Sequence, residues 1–525
     1  MKKYYITTPL YYVNAKPHIG HAYTNVLCDA YARYVRLRHG HDSVFFLTGT
    51  DEHGTKIEKA AKEKGKDPKT YADEMVPVFK DLWEILNIRY DYFIRTTDEA
   101  HKTVVRNVLQ DLEKKGDIYK AKYEGWYCIP CESFWTELQL VEGQCPDCHR
   151  EVQRLSEENY FFKLSKYQDW LKKYIEDNPK FIQPKIRKNE ILGFLREPLE
   201  DLCITRPRTR LNWGIDYPGS QDHVVYVWFD ALVNYISAVG YSVDSERFNS
   251  LWPADVHMVG KDILRHHAVY WPIMLKACGV QIPKAIIAHG WWTLGGQKVS
   301  KSRGNAVDPF ELVKKYGIDA FRYYFLHEVT VGYDGTFSED LFAERYTTDL
   351  ANDLGNLWFR VASMIEKYFQ GMIPEADMDN NSRIFISEKK RQWQQALETG
   401  FHDERYEEIT QFDPRLALNA IWDLVTAANR KVEEKKPWLL AKDQDKQNEL
   451  KQTLYTLAEF LAHIACLLQP FLPDTSKKIL QRLKLSEEMR IELLDEKDFV
   501  QQLVQPNIRI DRGEALFPKL EVVEI

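Results

Sequence analysis

The stretch Pro17-His18-Ile19-Gly20-His21 joins a short apolar strand to a helix and sets two imidazoles three residues apart. Before it, Tyr4-Tyr5-Ile6-Thr7-Thr8 has the aromatic and β-branched composition of a strand. After it, Ala22, Val26, Ala30, Tyr34 and Leu37 recur near helical spacing. A strand that feeds a helix N-terminus presents unpaired backbone N–H groups and a partial positive charge, which suits phosphate. Gly20 has no side chain to keep a ligand from that backbone. His18 and His21, at i and i+3, share one face. A four-residue match is common, and a histidine at a helix start also serves as a cap or a packing residue, so the stretch gains weight only from what surrounds it.

Downstream, the chain alternates strand and helix patterns: a strand at 43–50, helices near 56–64 and 68–86, a strand at 90–96 and a helix at 98–115. That rhythm predicts a parallel sheet with helices on its faces, which binds ligands at the carboxyl ends of its strands. His18, His21 and the turn Thr50-Asp51-Glu52-His53-Gly54 should therefore face one crevice. Asp51 has two readings there, a partner for a substrate ammonium or a helix cap.

The rhythm resumes with His223-Val224-Val225-Tyr226-Val227-Trp228 as a strand, a helix from Asp230, a strand at 256–260, a helix at 263–277 and a strand at 285–289. Gly260-Lys261-Asp262 ends a strand, where an Asp can accept ribose hydroxyls, and His267 follows one helical turn later. Then comes Gly295-Gly296-Gln297-Lys298-Val299-Ser300-Lys301-Ser302-Arg303-Gly304-Asn305, glycine-flanked and densely cationic. It is either a solvated surface turn or a mobile clamp on a triphosphate. Asp308-Pro309 caps the helix after it.

Between the two halves lie Cys128-Ile129-Pro130-Cys131 and Cys145-Pro146-Asp147-Cys148, two CxxC pairs thirteen residues apart. This spacing can gather four thiolates around a tetrahedral zinc, with His149 as a possible substitute ligand. Four protein ligands leave no open position for water, so such a metal folds the insert and does not catalyse. The stretch Arg206-Pro207-Arg208-Thr209-Arg210 invites a phosphate reading or that of a solvated loop.

The 525 residues leave room for three or four domains. They contain no apolar run that could span a bilayer and no signal-peptide pattern, so the cytoplasm is expected. Lys and Arg number 71 against 78 Asp and Glu, a net charge of −7 that gives no global basic field for nucleic acid. After residue 338 the texture becomes a helix bundle, with helices from Ser338-Glu339-Asp340 to about 369, from Asp413-Pro414 to about 434, and near 444–468 and 474–484. Asn356 and Arg360 share a helix face, and Trp438 is either packed in the bundle or an indole on which a base stacks.

Taken together, these features resemble the class I methionyl-tRNA synthetases over essentially the whole length. His18-Ile19-Gly20-His21 reads as that family's HIGH motif, and Lys298-Val299-Ser300-Lys301-Ser302 as its KMSKS motif with Val in place of Met. The resemblance implies a split Rossmann-like sheet with a zinc-binding insert, then an all-α bundle. In these terms 1–115 and 221–320 are the two halves of the catalytic domain, 116–220 the insert, 321–350 a linker and 351–525 the anticodon-binding domain. It implies a methionine pocket of Leu10, Tyr12, Asp51, Trp228, Ala231, Tyr235, Ile263, His267 and Trp271, with Asp51 on the amino group and Tyr12 and His267 near the sulfur. Leu232 stands where relatives often have Pro. ATP, with Mg2+, would meet His18, Gly20, His21, Gly260, Asp262, Lys298, Val299, Ser300 and Lys301, of which His18, His21, Lys298 and Lys301 are the catalytic set. Asn356, Arg360 and Trp438 would read the anticodon of tRNA(Met), and Cys128, Cys131, Cys145 and Cys148 would hold one zinc. An ending at Glu524-Ile525, without an appended domain, implies a monomer. The rivals are a non-catalytic tRNA-binding protein, a small-molecule nucleotidyltransferase and a class I synthetase for another apolar amino acid.

Overall fold

The structure is a computed structural model and describes residues 3–129, 133–135, 137–146, 149–295, 297–298, 307–398, 412–486 and 501–520. The chain divides into two compact units, one of Met1–Pro17, Phe45–Asp81 and Tyr90–Ala288, the other of His18–Val44, Leu82–Arg89 and His289–Ile525. Among the described residues no helix is long and apolar enough to cross a membrane.

The first unit is built on a seven-stranded sheet in the order Tyr11–Tyr12, Val44–Asp51, Tyr4–Thr7, Val256–Gly260, Ala285–His289, Ile182–Gln183, with Tyr92–Arg95 also paired to Val44–Asp51. All eight residues of Val44–Asp51 are buried, as a strand covered on both faces requires. Parallel pairing sets Tyr12 opposite Asp51 and Ile6 opposite Val256. The helix Glu99–Lys114 buries Val104, Val105, Val108, Leu109 and Leu112 in the core over this sheet. The split parallel sheet expected from the sequence is present.

Several expectations are corrected here. The segment 223–228 is not a strand of the parallel sheet: His223–Val225 pairs antiparallel with Thr205–Pro207, and the helix begins at Val227 rather than Asp230, so Trp228 is helical. A β-rich run of Val and Tyr does not say which partner it will find. Conversely Ile182–Gln183, inside the insert, adds a parallel strand at the edge of the main sheet. The insert carries a long hairpin of Ile118–Cys128 against Gln153–Phe162, flanked by Ser133–Trp135 and Leu202–Cys203. The basic stretch is partly built into the fold, with Thr209 exposed in the turn at 208–210. Arg206 is 3% exposed and lies 4.2 Å from the Tyr226 ring, Arg208 pairs with Asp216, and Arg210 pairs with Glu157 at 3.0 Å.

The second unit contains the helix Ile19–His39 and the bundle of Asn356–Phe369, Asn380–Glu398, Pro414–Lys435, Gln447–Leu468 and Pro473–Arg482. Asn380–Glu398 went unread in the sequence, because its polar residues dilute the helical stripe. The expected caps are present, with Asp308 accepting from Phe310 N and Ser338 from Leu341 N. A buried ion cluster holds Ile19–His39 in place: Asp29 meets Arg33 at 2.6 Å and Arg322 at 2.7 Å, and Arg322 donates to the carbonyls of Leu86, Pro470 and Phe471.

Candidate active site

In the second unit, His18 is the N-cap of Ile19–His39. Its Nδ1 accepts from Gly20 N at 3.0 Å, while His18 N donates to His21 Nδ1 at 3.1 Å. A capping box usually made by hydroxyl and carboxyl groups is here made by two imidazoles. Each ring uses Nδ1 as an acceptor, so each neutral ring carries its proton on Nε2 and is a donor there. The ring centroids are 4.0 Å apart. Gly20 is required by this arrangement, since a Cβ there would lie 2.9 Å from His18 Cε1. The capping and functional readings of these histidines are therefore compatible: Nδ1 builds the helix start and Nε2 is the chemical end.

One turn on, Thr24 Oγ1 lies 2.8 Å from His289 Nε2, and His289 Nδ1 lies 2.8 Å from Gly290 O. The carbonyl must accept, so Nδ1 donates and Nε2 accepts from Thr24. His289 ends a strand that leads to Trp292–Leu294, and this in turn pairs with Gln297–Lys298. The backbone of Lys298 is thus in a hairpin rather than in the loop expected for it. Val299, Ser300 and Lys301 lie outside the described residues.

In the first unit, aromatic rings gather around residues predicted for methionine. Trp228, Ala231 and Tyr235 lie on one face of Val227–Ser237. Tyr12 meets Trp228 edge-on at 6.3 Å, and Lys56 lies 4.5 Å over the Tyr12 ring. Tyr235 approaches His267 and Trp271, each at 5.7 Å between centroids. His267 Nδ1 donates to Ile263 O at 2.9 Å, so Tyr235 OH donates to His267 Nε2 at 2.7 Å. Both nitrogens are used, and burial pushes the His267 pKa down to about 4, leaving a neutral ring as pocket wall. Trp271 Nε1 donates to His257 Nε2 at 3.2 Å, and burial, then His267, hold His257 well below its ordinary range. Asp51, 2% exposed, ends its strand beside Tyr12. Leu10 is half-buried against the core, Gly260 is buried at a strand end, and Asp262 is exposed in the turn Lys261–Ile263.

The sequence reading passed over the groups that flank Asp51. Glu52 receives both Nε and Nη2 of Arg95, at 2.6 and 2.8 Å, with the hydroxyls of Thr50 and Thr97 each at 2.6 Å. His53 Nδ1 bonds Asp230 Oδ2 and His101 Nε2 bonds Asp230 Oδ1, both at 2.7 Å. Burial would raise the Asp230 pKa, but the two imidazoles outweigh it and hold the carboxyl below its usual range. A His following Asp-Glu was the available signal; its partner, 177 residues away, left none.

In the insert, Cys128 and Cys145 are fully buried and share a small core with Trp135. Cys131 and Cys148 lie outside the described residues, and His149 is exposed. Among the described residues no group of three or more His, Cys, Asp or Glu is arranged to hold a metal. In the bundle, Arg360 bonds Glu433 at 2.6 Å and lies 6.0 Å from the half-buried Trp438 ring, with Asn356 one turn before it on the same helix.

The family model for class I tRNA synthetases (M) matches residues 4–157 and 152–362, and that for the anticodon-binding domain of methionyl tRNA ligase matches 386–524. The chain belongs to the class I methionyl-tRNA synthetases. A methionine–tRNA ligase of Caldanaerobacter subterraneus subsp. tengcongensis is 50% identical over 99% of this chain and 79% of its own length, and one from Thermotoga maritima is 44% identical over 99% and 80%. A Mycobacterium tuberculosis methionyl-tRNA synthetase in complex with methionyl-adenylate superposes with a TM-score of 0.90 at 38% identity, covering 99% of this chain and 100% of the other. The activity is that of the family, methionine–tRNA ligation with ATP as a substrate.

Proposed function

We propose that this chain joins L-methionine to tRNA(Met) by way of methionyl-adenylate with its own residues in the following roles. The methionine carboxylate attacks the α-phosphate of Mg-ATP in line and expels pyrophosphate. The terminal adenosine of the tRNA then takes the methionyl group on its 2′-hydroxyl and releases AMP. No covalent nucleophile is needed from the protein, so catalysis is positioning and charge stabilisation. His18 and His21 donate through Nε2 to phosphate oxygens, Lys298 and Lys301 neutralise the triphosphate, and Asp262 accepts from the ribose. Asp51 pairs with the substrate ammonium. Asn356, Arg360 and Trp438 contact the anticodon. These reactions serve translation, and the cytoplasm is the compartment we assign.

The observation that carries the methionine assignment is a wall of rings in two groups: Tyr12 edge-on to Trp228, which stacks on His266, and Tyr235 beside Trp271 and a neutral His267 whose two nitrogens are already bonded. Such a wall gives a flexible thioether polarisable contacts without an unsatisfied polar group. Zinc fits the insert to the extent that two of the four candidate thiols, Cys128 and Cys145, are brought into one small core. Cys131 and Cys148 would complete the set, and the metal would hold the fold of the insert without taking part in the reaction. Pyrophosphate exchange measured with each of the twenty amino acids tests the function. Exchange with methionine alone is expected, and preference for another apolar amino acid would overturn the assignment.

A further inference from the structure

We propose that Asp230 is a positioning residue for methionine recognition, acting through His53 to fix the turn that carries Asp51. The inference rests on the reading of Asp51 as the ammonium's partner. Asp230 is fully buried and gives one carboxylate oxygen to each of two imidazoles, His53 and His101, at 2.7 Å. The three side chains come from three elements: the turn after Val44–Asp51, the helix Glu99–Lys114 and the helix Val227–Ser237. His101 Nδ1 lies 2.7 Å from Ser237 Oγ, so this ring also touches the far end of the helix that bears Trp228, Ala231 and Tyr235. A carboxylate only accepts, so His53 donates from Nδ1 and His101 from Nε2, which fixes the orientation of both rings.

An apolar side chain would fill the same space without the cost of burying charge. What the carboxylate adds is direction. Two residues before His53 stands Asp51, and between them Glu52 is held by Arg95, Thr50 and Thr97, while Gly54 N donates to Trp213 O at 3.1 Å. Asp51 is thus followed by three consecutive residues, each tied by its own bond to a different element. Recognition of a primary ammonium needs its carboxylate held to within about half an ångström. Asp230 couples that carboxylate's turn to the helix whose rings line the side-chain pocket, so that ammonium and thioether are measured from one frame.

The test is methionine-dependent pyrophosphate exchange with Asp51→Asn, Asp230→Asn, His53→Gln and His101→Gln in the full chain, with thermal melting in parallel. Asp51→Asn is the control for the underlying reading: if it leaves KM for methionine unchanged, that reading fails and this one with it. With the control raised, Asp230→Asn and His53→Gln are expected to raise KM for methionine about tenfold or more while KM for ATP stays within twofold. His101→Gln should move it in the same direction by less. A purely structural role lowers the melting temperature and the folded yield but leaves KM for methionine within twofold, and that result overturns the proposal. So does an equal rise in both KM values. Where Asp230→Asn does not fold, His53→Gln, which leaves the carboxylate its bond to His101, decides by the same readings.

Discussion

On the proposed reading His21 makes two separable contributions, and replacing it with three different side chains separates them. Its Nδ1 accepts from His18 N at 3.1 Å and closes the helix start, while its Nε2 proton points the ring's chemistry elsewhere. Loss of a cap costs about 1 kcal/mol. Loss of one preorganised donor to a developing oxyanion costs roughly 10² to 10³ in rate, or about 2.7–4 kcal/mol. His21→Ala removes both and should show both losses. Asn places its amide oxygen near where Nδ1 stood and offers nothing at Nε2, so His21→Asn should keep most of the stability and lose the rate. Gln can place its amide N–H near the old Nε2, so His21→Gln should recover part of the rate while losing the cap. Urea denaturation reads the first quantity and methionine-dependent pyrophosphate exchange the second. If His21→Asn exchanges at the wild-type rate, or His21→Ala falls by less than about threefold, the ring is only a cap and the assigned role is wrong.

Other outcomes follow from the same geometry. Tyr235→Phe leaves His267 Nε2 buried without its donor and should cost about 1–3 kcal/mol of stability, read by urea denaturation. His267 has its folded pKa depressed to about 4 from an ordinary 6.5, so below pH 6.5 the unfolded chain binds a proton that the native ring refuses. Stability should fall between pH 6.5 and 4 by at most about 3 kcal/mol from this ring, and a His267→Asn variant should lack that part of the slope. Asp413 caps Pro414–Lys435 but its pKa is raised to about 6 by burial, so its ionisation costs stability as pH rises from about 4 to 6. Asp413→Asn, which keeps a capping oxygen, should raise the melting temperature at pH 8 and leave it unchanged at pH 4. Metal analysis should find one zinc per chain, lost together with its fold in Cys145→Ser. Arg360→Gln should raise KM for tRNA at least tenfold and leave pyrophosphate exchange intact.

Local chemistry was legible without coordinates. The strand Tyr4–Thr7, the helix Ile19–His39, the caps at Asp308, Ser338 and Asp413, and the alternation that makes a parallel sheet all depend on neighbours within a few residues, and periodicity reports such neighbours directly. The candidate residues for nucleotide, methionine and anticodon came from two short motifs and the family resemblance they support. Tertiary structure alone decided which strand the 223–225 segment would join, that Ile182–Gln183 would return to the main sheet, and that Arg206 of the basic stretch would be buried while Arg208 and Arg210 paired with carboxylates. It alone joined His53 and His101 through Asp230, and set His267 between Ile263 O and Tyr235 OH. Apart from His267 with Ile263 O, these pairings lie tens to hundreds of residues apart in the chain. Whether a buried charge is paired, or an imidazole neutral, depends on what the rest of the fold brings within 3 Å of it, and no local pattern encodes that distance.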